Sequence, residues 1–127
     1  MKIEHIAYNV ADPVAVAAWY GQHLGLKIVR HLPAANQTHF LADDQATVLE
    51  IYCNPPEAVP DYAALHPLQL HLAVASSDAP ADAERLIAAG ASLFTDLTTP
   101  DGSRLIMLRD PWGLALQVCQ RAAPLLG

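Results

Sequence analysis

A chain of 127 residues, 53% hydrophobic and 16% charged, is long enough to bury a core and too apolar to stay disordered. Its net charge of −6 and its seven scattered Lys and Arg residues exclude a nucleic-acid surface, which needs clustered cations, but not an anionic small molecule. Two cysteines, Cys53 and Cys119, are too few for a disulfide framework and match no zinc-motif spacing, so both are expected as reduced, semi-buried core thiols.

The opening MKIEHIAYNV lacks the long apolar segment and cleavage site of a signal peptide, and no run approaches membrane-spanning length. A soluble cytoplasmic protein with no membrane partner is the expectation. Within IEHIAYNVAD a short strand carries His5. Asp12 then serves as N-cap and Pro13 fits the first helical turn. Val16, Tyr20 and Leu24 recur at helical spacing, and Gly25 terminates the helix. Three strands follow, LKIVRHL, QTHFLA and ATVLEIYC, with Asp43 and Asp44 in a turn. The segment NPPEAVPDYAALHP has four prolines and no sustained periodicity, and reads as a linker.

Beyond it the pattern starts again. EHIAYNVADP (4–13) aligns with LHLAVASSDAP (70–80), each a β-rich run with His at its second position and then Asp and Pro. A second helix follows, with Ala83, Leu86 and Ile87 as its apolar face and Gly90 as its stop. Three more strands, ASLFTDL, SRLIMLR and LALQVCQ, are divided by Pro100-Asp101-Gly102 and by Asp110-Pro111-Trp112-Gly113. Each half is thus β-α-β-β-β, an α+β arrangement. Residues 1–127 form a single domain, with one module at 1–54, a linker at 55–67 and a second module at 68–121.

The register carries the functional information. His5 precedes Glu50 by 45 residues and His71 precedes Gln117 by 46; Glu50 and Gln117 stand mid-strand between apolar neighbours, where an unpaired polar group is costly. A lone His on an apolar strand is more often a hydrogen-bonded core residue than a ligand. Repeated in register with a carboxylate and an amide, however, the four residues make a ligand set for a divalent cation: zinc, nickel, cobalt, manganese or iron. Gln117 is the weakest member, because glutamine is an uncommon ligand. By strand alternation Ala7 and Asn9 share the face of His5, Tyr52 that of Glu50, and Ala73 that of His71, while Ile6, Tyr8 and Val10 pack outward against helices. His23, His31, His39 and His66 are expected at the surface or in supporting roles, Arg30 and Arg104 as solvated strand-edge charges, and Trp112 as a packing residue.

Through HIAYNVADPVAVAAWYGQHLGLKIV, VLEIYCN, LHLAV and RDPWGLALQV, the whole chain resembles the vicinal oxygen chelate superfamily, closest to its glyoxalase I-like branch. The most specific piece is the Asp-Pro-x-Gly turn with a ligand-type residue four positions after its glycine. The resemblance implies paired βαβββ modules forming a cupped mixed sheet around a metal, with helices outside, and metal positions at His5, Glu50, His71 and Gln117. It also implies a homodimer. Bacterial glyoxalase I usually has glutamate where this chain has Gln117 and arginine where it has Asn9, so glutathione specificity does not follow; Asn54 matches an asparagine of that enzyme type. Asn9, Tyr52 and Asn54 are accordingly expected to line a substrate pocket.

The leading expectation is a metal-dependent lyase or isomerase, lactoylglutathione lyase-like, acting on a small oxygen-chelating substrate through an enediolate. Glu50, the one carboxylate of the set, would double as base. Two alternatives stand beside it: an extradiol-type ring-cleaving dioxygenase using His5, His71 and Glu50 on iron, and a small-molecule binding or resistance protein.

Overall fold

The computed structural model describes residues 1–126. Strand β1 (Ile6–Asn9) leads into helix α1 (Pro13–Leu24), followed by β2 (Lys27–Leu32), β3 (Thr38–Ala42) and β4 (Val48–Tyr52). The same order recurs in β5 (Leu72–Ala75), α2 (Ala79–Ala88), β6 (Ser92–Thr98), β7 (Arg104–Arg109) and β8 (Ala115–Gln120). The chain divides into two compact units, Met1–Pro60 and Asp61 onward. Each holds one four-stranded mixed sheet, ordered β1-β4-β3-β2 in the first and β5-β8-β7-β6 in the second. The α+β, twice-βαβββ architecture expected from the sequence repeat is the one observed. Among the described residues no helix is long and apolar enough to cross a membrane.

The helix boundaries follow from local chemistry. Asp12 and Asp78 accept hydrogen bonds from the backbone N–H groups of Ala15 and Ala81, each at 3.1 Å, satisfying donors that a helix N-terminus leaves open. Gly25 ends α1 at φ 72°. At the end of α2, Ala91 N–H reaches Leu86 O and Gly90 N–H reaches Ile87 O, both at 3.0 Å, a Schellman closure with Gly90 at its left-handed position.

Helix α1 buries Val16, Ala17, Trp19 and Tyr20 and packs on β2, β3 and β4. In β4 burial alternates: Leu49 and Ile51 are buried, while Val48, Glu50 and Tyr52 are half-buried. The period of two places Glu50 on the face away from the buried residues. Helix α2 packs on β7 and β8 through Ala79, Ala83 and Leu86, spaced i, i+4, i+7. Two residues expected in the core lie elsewhere. Ile87 is 41% exposed because the buried stripe passes through Leu86 and Ala83, leaving the next position rotated away. Ile6 is 46% exposed because it begins the first strand, whereas Tyr8 and Val10, on the same side, are buried.

Edge strands β2 and β6 are exposed along their whole length, and each has a register shift, at Ile28/Arg30 and at Leu93/Thr95. The bulge repeats at equivalent positions of the two modules. In the second it takes Phe94 out of the pairing ladder. Cys53 is half-buried and Cys119 buried, and neither forms a disulfide, as expected.

The proline-rich segment is more ordered than a tether. It contains two short 3-10 turns, Pro56–Ala58 and Tyr62–Ala64. Tyr62 and Pro67 are buried within the second unit. The Asp110-Gly113 turn accounts for some of this packing. Buried Asp110 accepts from the N–H groups of Trp112 and Leu114 at 2.9 Å. Gly113 has φ 90°, and a Cβ there would lie 2.7 Å from the Ala63 Cβ. Glycine is thus required twice, for backbone conformation and for the close passage of the 62–64 turn.

Gly113→Ala is expected to destabilise the protein by about 2–4 kcal/mol, the sum of left-handed strain and overpacking, as measured by urea unfolding. A second expectation concerns acid. The Ser76 hydroxyl, at 2.6 Å, and then Arg85 hold the Asp82 carboxyl below its ordinary pKa. A lowered native pKa contributes stability above the unfolded-state value, lost as pH falls through the native one. Ser76→Ala should therefore lower stability at neutral pH and flatten the acid limb below about pH 4; unchanged pH dependence in the variant would refute this.

Candidate functional site

In the first unit β1 runs parallel to β4 with Ala7 opposite Glu50, and β3 runs antiparallel on the other side with Phe40 opposite Glu50. Glu50 therefore sits mid-ladder between two strands, facing away from α1. His5, one residue before β1, lies two positions from Ala7 and shares its face. Its Nε2 is 3.0 Å from Glu50 Oε2, and its ring meets Phe40 edge-on at 6.0 Å. On the other side His5 Nδ1 contacts the Glu4 carboxylate. An imidazole with a carboxylate at each nitrogen favours its charged form: the hydrogen bond to Glu4, then the charges of Glu4 and Glu50, raise the His5 pKa above 6.5.

The second unit repeats the geometry with different chemistry. Strand β5 runs parallel to β8 with Ala73 opposite Gln117, and Met107 of β7 faces Gln117 from the other side. His71 lies two positions before Ala73, as His5 does before Ala7. Its Nδ1 donates to Pro67 O at 2.9 Å, which leaves Nε2 to carry the lone pair. The Gln117 Oε1 accepts from the Cys119 thiol at 3.2 Å. Around Gln117 opens a cavity of about 410 Å³, walled by Pro67, Phe94, Leu97, Leu105 and Met107.

The donor chemistry of each half fits a divalent cation. Two ligands each about 2.1 Å from one ion in cis positions are themselves about 3.0 Å apart, so the His5–Glu50 contact has the length of a coordination edge as well as of a hydrogen bond. Both candidate imidazoles have Nδ1 occupied by an oxygen, the support that ligating histidines ordinarily receive. Among the described residues no group of three or more His, Cys, Asp and Glu side chains is placed to hold a metal. The pairing of His5 with Glu50 is what the first unit supplies.

The remaining sequence candidates divide. Asn9 uses its side-chain amide internally: Oδ1 accepts from Asn54 N–H at 2.8 Å and Nδ2 donates to Pro55 O at 3.1 Å, tying the end of the first module to β1. Tyr52 is half-buried beside Asn9, its register partner. Arg104 is held by both carboxylate oxygens of Asp96, at 2.5 and 2.7 Å. His39 is buried, its ring stacked on that of His31 at 4.1 Å and its Nδ1 2.6 Å from Gln37 O. Sequence reasoning missed Phe40 and the cavity wall. The alternation of Thr95 with Leu97 and of Leu105 with Met107 signals that wall, but nothing in the sequence marks the bulge that frees Phe94.

Comparison with known proteins bears on the same residues. Residues 5–119 match the family model described as a glyoxalase-like domain. No curated protein gives a significant sequence match. Among solved structures, TnmS3, an antibiotic binding protein from Streptomyces sp. CB03234, is similar at TM-score 0.74 and 21% identity, over 96% of this chain and 97% of that one. Lactoylglutathione lyase from Agrobacterium tumefaciens aligns at TM-score 0.68 and 22% identity, over 94% and 92%. A glyoxalase I mutant from Zea mays aligns at TM-score 0.72 and 23% identity, over 96% of this chain and 46% of that one. These likenesses show the fold. With the family model covering nearly the whole twice-βαβββ chain, the protein belongs to the glyoxalase-like domain family of the vicinal oxygen chelate superfamily.

Proposed function

We propose that the protein is a metal-dependent lyase or isomerase acting on a small oxygen-chelating substrate, with His5, Glu50, His71 and Gln117 as metal ligands. The observation that carries this reading is the 3.0 Å approach of His5 Nε2 to Glu50 Oε2 on the open face of the first sheet. A bound divalent cation would supply the positive charge that stabilises loss of a proton beside a carbonyl. Glu50, the one carboxylate of the set, takes that proton at an oxygen; the Gln117 amide has no basicity near neutral pH and orients through its carbonyl oxygen. Ala7 and Ala73 are exposed and small, leaving room beside the ligands for substrate oxygens. Asn9, Tyr52 and Asn54 lie at the margin of the first module's face. We further propose a homodimer in a cytoplasmic setting, in keeping with the family.

A second reading, a small-molecule binding protein, is favoured by the apolar cavity around Gln117 and by the likeness to an antibiotic binding protein. Ring cleavage by an iron-loaded form is the third outcome the assays below separate.

Zinc, nickel, cobalt, manganese and iron(II) titrated calorimetrically into metal-free protein should each report the site. His5→Ala and His71→Ala are expected to weaken binding at least tenfold; unchanged affinity in both would return these histidines to a structural role. Below the raised His5 pKa metal must displace a proton, so affinity climbs as pH rises through that pKa. Glu4→Gln lowers the pKa and should shift the climb to lower pH. For chemistry, hemithioacetals and catechols are assayed with and without oxygen on each metal-loaded form. Glu50→Gln should reduce lyase turnover about a hundred- to ten-thousand-fold. Oxygen-dependent ring cleavage would overturn the lyase reading, and ligand binding without turnover would establish the second. Light scattering that gives a monomer with full metal affinity would refute the dimer.

A further inference from the structure

We infer that Arg109 is a positioning residue: by gripping the 62–65 turn it fixes the carbonyl that sets the tautomer, and hence the lone-pair direction, of His71. That His71 is a metal ligand rests on the function proposed above; the positioning itself is independent of metal.

Arg109 stands at the end of β7 and directs its guanidinium at three backbone carbonyls. Nη1 donates to Tyr62 O and Gly113 O, both at 3.0 Å, and Nη2 to Leu65 O at 2.9 Å. Its Cζ lies over the Phe94 ring, 5.6 Å from the centroid, and that ring meets His66 edge-on at 5.5 Å. One side chain thus joins the 62–65 turn, the turn before β8 and an aromatic wall of the cavity. A guanidinium suits this task because its fixed fork of donors reaches several acceptors at once; an ammonium has one centre.

From Leu65 the order passes along the chain. His66 N–H donates to Gln69 Oε1 and Gln69 N–H to His66 O, both at 2.8 Å, closing a tight turn. Leu68 N–H donates to His66 Nδ1 at 3.1 Å, so the proton of that imidazole resides on Nε2. Pro67, fully buried, offers its carbonyl to His71 Nδ1 at 2.9 Å, so the proton there resides on Nδ1. One backbone turn therefore imposes opposite tautomers on two neighbouring histidines, and it is held at its start by Arg109. With the grip released, Leu65 O loses its guanidinium donor and Tyr62 O keeps only the Leu65 N–H at 3.2 Å, the 62–69 segment loosens, and His71 relaxes toward the Nε2–H tautomer that a free histidine side chain prefers. That form has its lone pair on the wrong nitrogen.

Long-range nitrogen–proton NMR spectra of metal-free protein at about pH 8, where imidazole is neutral, read the tautomers directly. Wild type should show Nδ1–H at His71 and Nε2–H at His66. Arg109→Lys should turn His71 into a mixture and weaken nickel affinity about ten- to a hundred-fold, while Arg109→Gln, which keeps a planar donor, recovers less than wild type and more than Ala. Leu86→Ala, a truncation in the α2 core, lowers stability without touching this chain of bonds and should leave the His71 tautomer unchanged. An unaltered His71 tautomer in folded Arg109→Lys would overturn the inference. If that variant does not fold, Arg109→Gln takes its place: a mixed His71 population there upholds the inference, and an unaltered Nδ1–H form overturns it. If wild type binds no nickel, the metal reading fails alone, and the tautomer comparison still judges Arg109.

Discussion

Parallel pairing of the first and last strands of each module is the constraint from which the rest follows. Strand β1 pairs with β4, and β5 with β8, while the two intervening strands add antiparallel outward. Parallel neighbours cannot be joined by a hairpin, so a crossover is obligatory, and α1 and α2 supply it. The last strand then becomes an inner strand, flanked on both sides, with a helix over one face. A polar side chain at its centre has one place to go, the open face, and there it meets the residue just ahead of the parallel partner. That is why a histidine some 45 residues upstream ends within 3.0 Å of Glu50.

The two modules share this frame and differ in what they set upon it. The first presents an imidazole pinned between Glu4 and Glu50, a charged and solvent-facing pair. The second presents an imidazole whose Nδ1 is taken by a neutral carbonyl, and an amide that lines an apolar cavity. The electrostatics follow: the first histidine is biased toward its protonated form, and the second has its proton placed by geometry. Identical topology thus carries a histidine between carboxylates in one half and an amide beside an apolar cavity in the other.

How much of the fold and the site is legible in the sequence depends on the range over which the determining interactions act. Helix limits are legible because Asp12, Asp78, Gly25 and Gly90 act on their own neighbours. The repeat exposes the pairing of His5 with Glu50 and the matching places of His71 and Gln117, since register is a property of spacing. What escapes depends on contacts distant in sequence or on slight rotations. Ile87 has the spacing of a core residue, but the buried stripe runs one position away. Nothing in the sequence singles out Arg109 until the turn it grips is seen, and the 61–67 stretch resembles a tether until Gly113 is found to be cut away for it. The bonds of the Asn9 amide to Asn54 N–H and Pro55 O join residues 45 and 46 positions apart, a contact that local pattern does not show.

The parallel ladders also have a mechanical meaning. Tension applied between the start of β1 and the end of β4 pulls two aligned strands past each other along their length. All the ladder hydrogen bonds then bear load together and must fail together, whereas in an antiparallel hairpin pulled open at its mouth they break in succession. The helix and the two outer strands lie off the line of force and stay slack until that ladder gives way. The same holds for β5 and β8. Each module therefore resists shear along the seam on which its candidate ligand residues stand, and fluctuations that open the far edge strands β2 and β6 leave that spacing undisturbed.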